Sequence, residues 1–156
     1  MSIPDDGLRK QITPSINYTP RSFSSHVYET LRALCDAIIP ADLESGGAIE
    51  AGVPELIDLI ANDNKDYRLQ ISAGVNWLDQ VCVERYGESY LACASSQQKE
   101  ILDLIAFRKN AKHDPRLNDG IEFFSVLRKN TVDAFFTSDV GLKYLGFSDQ
   151  CISRVM

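Results

Sequence analysis

Apolar residues recur every three or four positions in five stretches of this 156-residue chain, and no stretch alternates with the period of two that a half-buried strand needs. The first begins near Ser24 or Ser25, either of which can cap a helix, and places Val27, Leu31, Leu34, Cys35 and Ile38 on one face. Glu29, Arg32 and Asp36 fall on the opposite, polar face, and Pro40 ends the run. Pro54 opens a shorter helix that runs through Leu56, Ile57, Leu59 and Ile60 to about Ala61. The longest helix is predicted from about Asp66 to Arg85, with Ile71, Val75, Leu78, Val81 and Cys82 on one stripe and Gly87 at its stop position. Gly74 shares that stripe. Glycine inside a helix costs about 1 kcal/mol relative to alanine, so its place on the buried face predicts close approach by another helix.

Ser95 and Gln98 have the spacing of a capping box ahead of Ile101, Leu102 and Ile105. Asp119 and Glu122 repeat that spacing ahead of a last long helix reaching about Thr137. Between these two helices, residues 109–118 read as a polar loop, and residues 42–52, with three glycines, as another. Residues 1–23 carry Pro4, Pro14 and Pro20 without helical or strand periodicity, and are expected to form an extended polar arm. The expected architecture is therefore all-α: a single compact bundle of about five helices over residues 24–156, preceded by that arm. No internal repeat of solenoid length is present.

A composition of 44% hydrophobic and 24% charged residues is that of an ordinary globular domain able to bury one core. The net charge of −6 repels phosphate backbones and anionic headgroups, which disfavours nucleic acid or a bilayer surface as a direct partner. No apolar run approaches the roughly 20 residues that a membrane helix requires, so no direct membrane span is expected. Arg9-Lys10 is followed by no apolar stretch, and neither a secretory nor a twin-arginine signal can be read after it. The sequence as written points to the cytoplasm; removal of a signal, or export by a partner, would place the chain in the periplasm or at a membrane.

Catalytic chemistry finds little purchase. There is no glycine-rich dinucleotide turn and no phosphate loop, and Gly46-Gly47 reads as a turn. His26 and His113 lie far apart without a recognisable nucleophile motif, and each is expected to be solvated. Asp36, Asp42, Glu44, Glu50, Glu55 and Asp58 cluster in sequence, but solvated faces and helix-start charges account for them. The four cysteines, Cys35, Cys82, Cys93 and Cys151, have no metal-site spacing. Cys35 and Cys82 fall on apolar faces; Cys93 and Cys151 are the reasonable disulfide candidates, with free thiols favoured in a cytoplasmic chain. No catalytic, cofactor-binding or metal-binding residue is assigned.

The aromatic pattern is more informative. On the last helix Phe124, Leu127, Ala134 and Phe135 share a face that Ile121 and Phe123 widen, while Val126 and Phe136 point among Glu122, Lys129 and Asp133. The tail adds Leu142, Tyr144, Leu145 and Phe147. This apolar surplus, together with Trp77 at the edge of its stripe, marks Trp77, Phe136, Leu142, Tyr144, Leu145 and Phe147 as candidate partner-interface residues.

The order of segments resembles a known family. Leu31 to Asp42, then Gly47-Ala48 and Ala51-Gly52-Val53, is similar to the opening of the gluconate 2-dehydrogenase subunit 3 family. The likeness continues through Gly74 to Asp79, Tyr86-Gly87, Ser95 to Gln98, Phe123-Phe124 and Phe135-Phe136, covering about residues 31–147. What the resemblance implies is a non-catalytic small subunit. It would partner a large, FAD-dependent dehydrogenase of the glucose-methanol-choline type that oxidises a sugar, glycoside or sugar acid, often with a cytochrome c subunit as electron acceptor. The small subunit is associated with maturation and export, so FAD is expected in the partner and not in this chain. Two departures stand out: no twin-arginine signal is seen, and the glycine-rich segment after the paired phenylalanines is shortened to Val140-Gly141-Leu142. A free-standing helical adaptor or chaperone, and an enzyme using the clustered carboxylates, are the alternatives.

Overall fold

A computed structural model describes residues 18–43 and 45–144 of the chain, the side chains of 142–144 excepted. These residues form seven α-helices and no strand: α1 (Ser25–Ile38), α2 (Val53–Asp63), α3 (Lys65–Tyr86), α4 (Ser95–Ile105), α5 (Asn110–His113), α6 (Asn118–Phe136) and α7 (Asp139–Tyr144). Short 3-10 turns at Tyr90–Ala92 and Pro115–Leu117 precede α4 and α6. The five longer helices are the five that apolar periodicity predicts. The polar stretch of 109–118 is not a plain loop, because the single-turn α5 and the second 3-10 turn occupy most of it.

Local chemistry sets the helix ends. Ser24 Oγ accepts the Val27 N–H at 3.2 Å to start α1. Asn64 closes α2 and also caps α3, its side chain accepting the Tyr67 N–H at 3.1 Å, so the chain reverses within one residue. Gly87, at φ 82°, takes the left-handed stop of α3. Two capping expectations shift. At α4 it is Gln97 that reaches back to the Ala94 N–H, at 2.9 Å, while Gln98 turns inward and donates to the Tyr90 carbonyl at 2.8 Å. At α6, Asp114 caps the preceding 3-10 turn at the Arg116 N–H, Asp119 lies within the first helical turn, and Glu122 instead binds Arg108 at 2.7 Å.

The core gathers Leu31, Leu34, Cys35, Ile71, Val75, Leu78, Cys82, Ile101, Ile105 and Leu127, all essentially inaccessible. α1 lies inside the bundle, touching α2, α3, α6 and the Tyr90–Ala92 turn. That position overturns the expected polar face: Arg32 and Asp36 are buried, and solvent meets α1 along the narrow strip His26, Glu29, Ala33 and Ala37. Arg32 Nη1 reaches Glu29 Oε1 at 3.3 Å.

α3 and α6 cross with each helix seating an aromatic ring on a glycine of the other. Phe123 lies over Gly74, where an added Cβ would fall 2.0 Å from its ring, and Trp77 lies over Gly120, where a Cβ would fall 2.2 Å from the indole. Two opposed effects make this testable. At an open helix position, glycine to alanine stabilises by roughly 1 kcal/mol, whereas forcing a methyl into this contact costs about 1–3 kcal/mol or more through overpacking. Gly74→Ala should therefore lower the midpoint of urea unfolding; a raised midpoint would show that the helices do not cross here.

Candidate functional site

The arm is anchored by a carboxylate. Asp58, on the inner face of α2, is wholly buried: Oδ2 accepts the Arg21 N–H at 2.8 Å and the Tyr18 hydroxyl, and Oδ1 accepts the Ser22 N–H at 3.0 Å. Ser22 Oγ returns a hydrogen bond to the Asp58 carbonyl at 2.8 Å. Burial, and donation to this carboxylate, push the Tyr18 hydroxyl well above its ordinary pKa. The Tyr18 ring stacks obliquely on Tyr28, with centroids 5.5 Å apart, and Phe23 enters the core. Residues 18–23 are thus part of the packed body, and Asp58 is not the solvated helix-start charge that its position in sequence suggests. Two other clustered carboxylates also serve the backbone: Asp42 accepts the Ser45 N–H and Glu50 the Gly47 N–H, each at 2.8 Å. Glu44 lies outside the described residues.

A second node joins three elements. Asp79 of α3 sits with Oδ2 2.5 Å from His26 Nε2 on α1, and its Oδ1 accepts the Tyr90 N–H at 3.0 Å. His26 is half exposed, so the pair positions chain segments more than it stabilises them. His113 is exposed at the end of α5. Cys35, Cys82 and Cys93 are buried, and Cys93 directs its Sγ to the Glu88 carbonyl at 3.6 Å. Its suggested mate Cys151 lies outside the described residues. Among the described residues no cluster of three or more His, Cys, Asp or Glu could hold a metal ion, and no helix is long and apolar enough to cross a membrane.

The surface carries the remaining candidates. α2 is apolar on both sides: Val53, Pro54, Ile57 and Ala61 face inward, while Leu56, Leu59 and Ile60 are 40%, 42% and 47% exposed. The two sets lie on different sides of the helix, and only the position of α2 at the edge of the bundle decides that the second is left open. Trp77 lies partly buried on Gly120, beside a groove between α3 and α6. Phe136 is half-buried, packing edge-on against Phe135 with centroids 5.1 Å apart. It stands sixteen residues beyond Gly120 on α6, about 24 Å at 1.5 Å per residue, so Trp77 and Phe136 do not share a patch. The side chains of Leu142 and Tyr144, and all of Leu145 and Phe147, lie outside what is described.

An all-helical body whose conspicuous features are surface grooves and an apolar helix face fits a subunit that works by contact with another protein. The chain belongs to the gluconate 2-dehydrogenase subunit 3 family, whose model matches residues 25–148, from the first residue of α1 past the end of α7. Family membership places it among the subunits of a multi-subunit dehydrogenase. No curated protein and no solved structure matches the chain.

Two outcomes test this anatomy. Asp58→Ala strands two backbone N–H groups and a hydroxyl, and should cost about 2–4 kcal/mol. It should also expose the bond after Arg21 to trypsin under conditions where the parent chain resists that cut; equal cleavage would mean that the arm is held otherwise. Alkaline pH is the second. Burial pushes Cys35 and Cys82 from 9.0 up to about 12, and Tyr67 from 10.0 up to about 12. The folded chain keeps protons that the unfolded chain releases, so stability is full below pH 9 and falls as pH rises towards 12. Denaturation midpoints should decline over that window, less steeply for Cys35→Ala; a slope that Cys35→Ala leaves unchanged would place that thiol in water.

Proposed function

We propose that this chain is the non-catalytic small subunit of a flavin-dependent dehydrogenase. In this reading it binds, and stabilises or matures, a large FAD-containing subunit of the glucose-methanol-choline type that oxidises a sugar, glycoside or sugar acid. FAD belongs to that partner, and a cytochrome c subunit is the further member to which electrons pass. Location follows the complex, in the periplasm or at the membrane where the large subunit is exported.

The observation that carries this reading is the double-faced apolar helix α2. A helix at the edge of a globular domain ordinarily turns one apolar stripe inward and polar residues outward. Here Leu56, Leu59 and Ile60 are left roughly half exposed, and they span little more than one helical turn, a compact patch for a partner. Phe136, half-buried on the rim of the core, is a secondary contact in the same proposal.

Co-expression with the large subunit tests it. The parent chain should co-purify with a yellow flavoprotein in fixed ratio. Leu59→Glu should weaken that capture by about 2 kcal/mol, roughly thirtyfold, while leaving the melting temperature of the isolated chain nearly unmoved. Failure of the parent chain to hold any flavoprotein would sink the proposal and favour a free-standing adaptor.

A further inference from the structure

The groove beside Trp77 has a chemistry of its own. It encloses about 490 Å³, room for a few side chains, with Trp77 and Phe123 supplying aromatic surface. Asp119 and Glu122, one turn apart, form the α6 side, and Gln70, Asn76 and Gln80 form the α3 side. Among the described residues no lysine or arginine lines it. Glu122 is countered from outside by Arg108 at 2.7 Å, whereas Asp119 makes no ion pair among the described residues. An indole and an uncompensated carboxylate lining one groove are the pairing that attracts a guanidinium or ammonium group, and the flanking amides can both donate to and accept from a peptide backbone. The seat of Trp77 on Gly120 fixes the ring before anything binds, which lowers the ordering cost of binding.

The geometry points to this groove as the receptor for an arginine- or lysine-bearing segment of a partner protein. A second copy of this chain is the poorer occupant, because two molecules of net charge −6 repel as they approach. Identifying the partner as the large flavoprotein subunit rests on the function proposed above; the cation-accepting chemistry does not.

Trp77 is the single tryptophan of the chain, so its emission reports the groove directly. Titration of the full chain with an oligoarginine peptide should change that emission saturably, and an oligoglutamine peptide should not. Asp119→Lys should weaken the oligoarginine response by about tenfold, and Asp119→Asn by less, with both variants melting near the parent. An emission that does not move, or variants that titrate like the parent, would overturn the assignment. In the co-expressed complex, Asp119→Lys should also reduce capture of the flavoprotein, and undiminished capture would count against the groove as its contact. If the parent chain captures no flavoprotein at all, the proposed function fails while the peptide titration still decides the groove. A parent chain that elutes as a dimer, split by Asp119→Lys, would make the occupant a second copy and reject the assignment.

Discussion

The crossing of α3 and α6 is the constraint around which the bundle is arranged. Two glycines, Gly74 and Gly120, each accept a ring from the facing helix, so the helices approach to a distance that a single methyl group at either point would forbid. Each glycine in a helix interior costs about 1 kcal/mol of propensity. The offset comes from packing, since Phe123 is almost wholly buried and Trp77 largely covered. With these two helices fixed, α1 is enclosed between them and α2, and that enclosure draws Arg32 and Asp36 out of solvent. The groove beside Trp77 is a by-product of the same crossing, because the rings that fill the contact also wall the space next to it.

Asp58 shows a different use of burial. A carboxylate taken fully out of water loses several kcal/mol of solvation unless its lone pairs are matched. Here two backbone N–H groups and a phenolic hydroxyl match them, and the donors all come from the segment before α1. The donors need an acceptor as much as the acceptor needs donors, since an extended segment packed on a helix has no ladder of its own to satisfy it. The charge therefore defines where the arm lies, and α2 is held from one side by the arm and from the other by Asn64 and α3.

What could be read from sequence follows the range of the interaction. The existence of the five long helices, the stop at Gly87 and the close approach at Gly74 depend on neighbours within a few residues or on one face of one helix. All of them were legible. The burial of Arg32 depends on three other helices, and the docking of Tyr18, Arg21 and Ser22 on a residue in α2, and no local pattern encodes either. Only the aromatic residues Tyr18 and Phe23, unusual in a polar arm, hinted that the segment is packed. The capping boxes failed for a subtler reason. Ser95/Gln98 and Asp119/Glu122 have the required spacing, but tertiary partners, the Tyr90 carbonyl and Arg108, take the side chains that would have closed each box. Of the six candidate interface residues, Trp77 on α3 rests at the start of α6 and Phe136 stands at its end, whereas the exposed face of α2 was not among the candidates, because a run of apolar residues in a short helix does not say which of them the rest of the fold will cover.

That outer face bears on how the chain's stability should be judged. Fully burying a leucine or isoleucine side chain contributes about 1.5–3 kcal/mol, and Leu56, Leu59 and Ile60 are each only a little over half buried within the chain. Covering them would add a few kcal/mol, an appreciable fraction of the 5–15 kcal/mol that separates a typical domain from its unfolded state. Anything that binds only the folded chain raises its apparent stability by mass action, in proportion to the logarithm of its concentration over Kd. If the partner proposed here covers α2, the stability of the isolated chain is a lower bound on its stability in the complex, and the difference grows with partner concentration. The same apolar face, left uncovered, is an aggregation liability. A helix that is costly to leave bare and rewarding to cover is consistent with a subunit that spends its life in a complex, and it gives a physical reason for α2 to be apolar on the side that its own fold does not use.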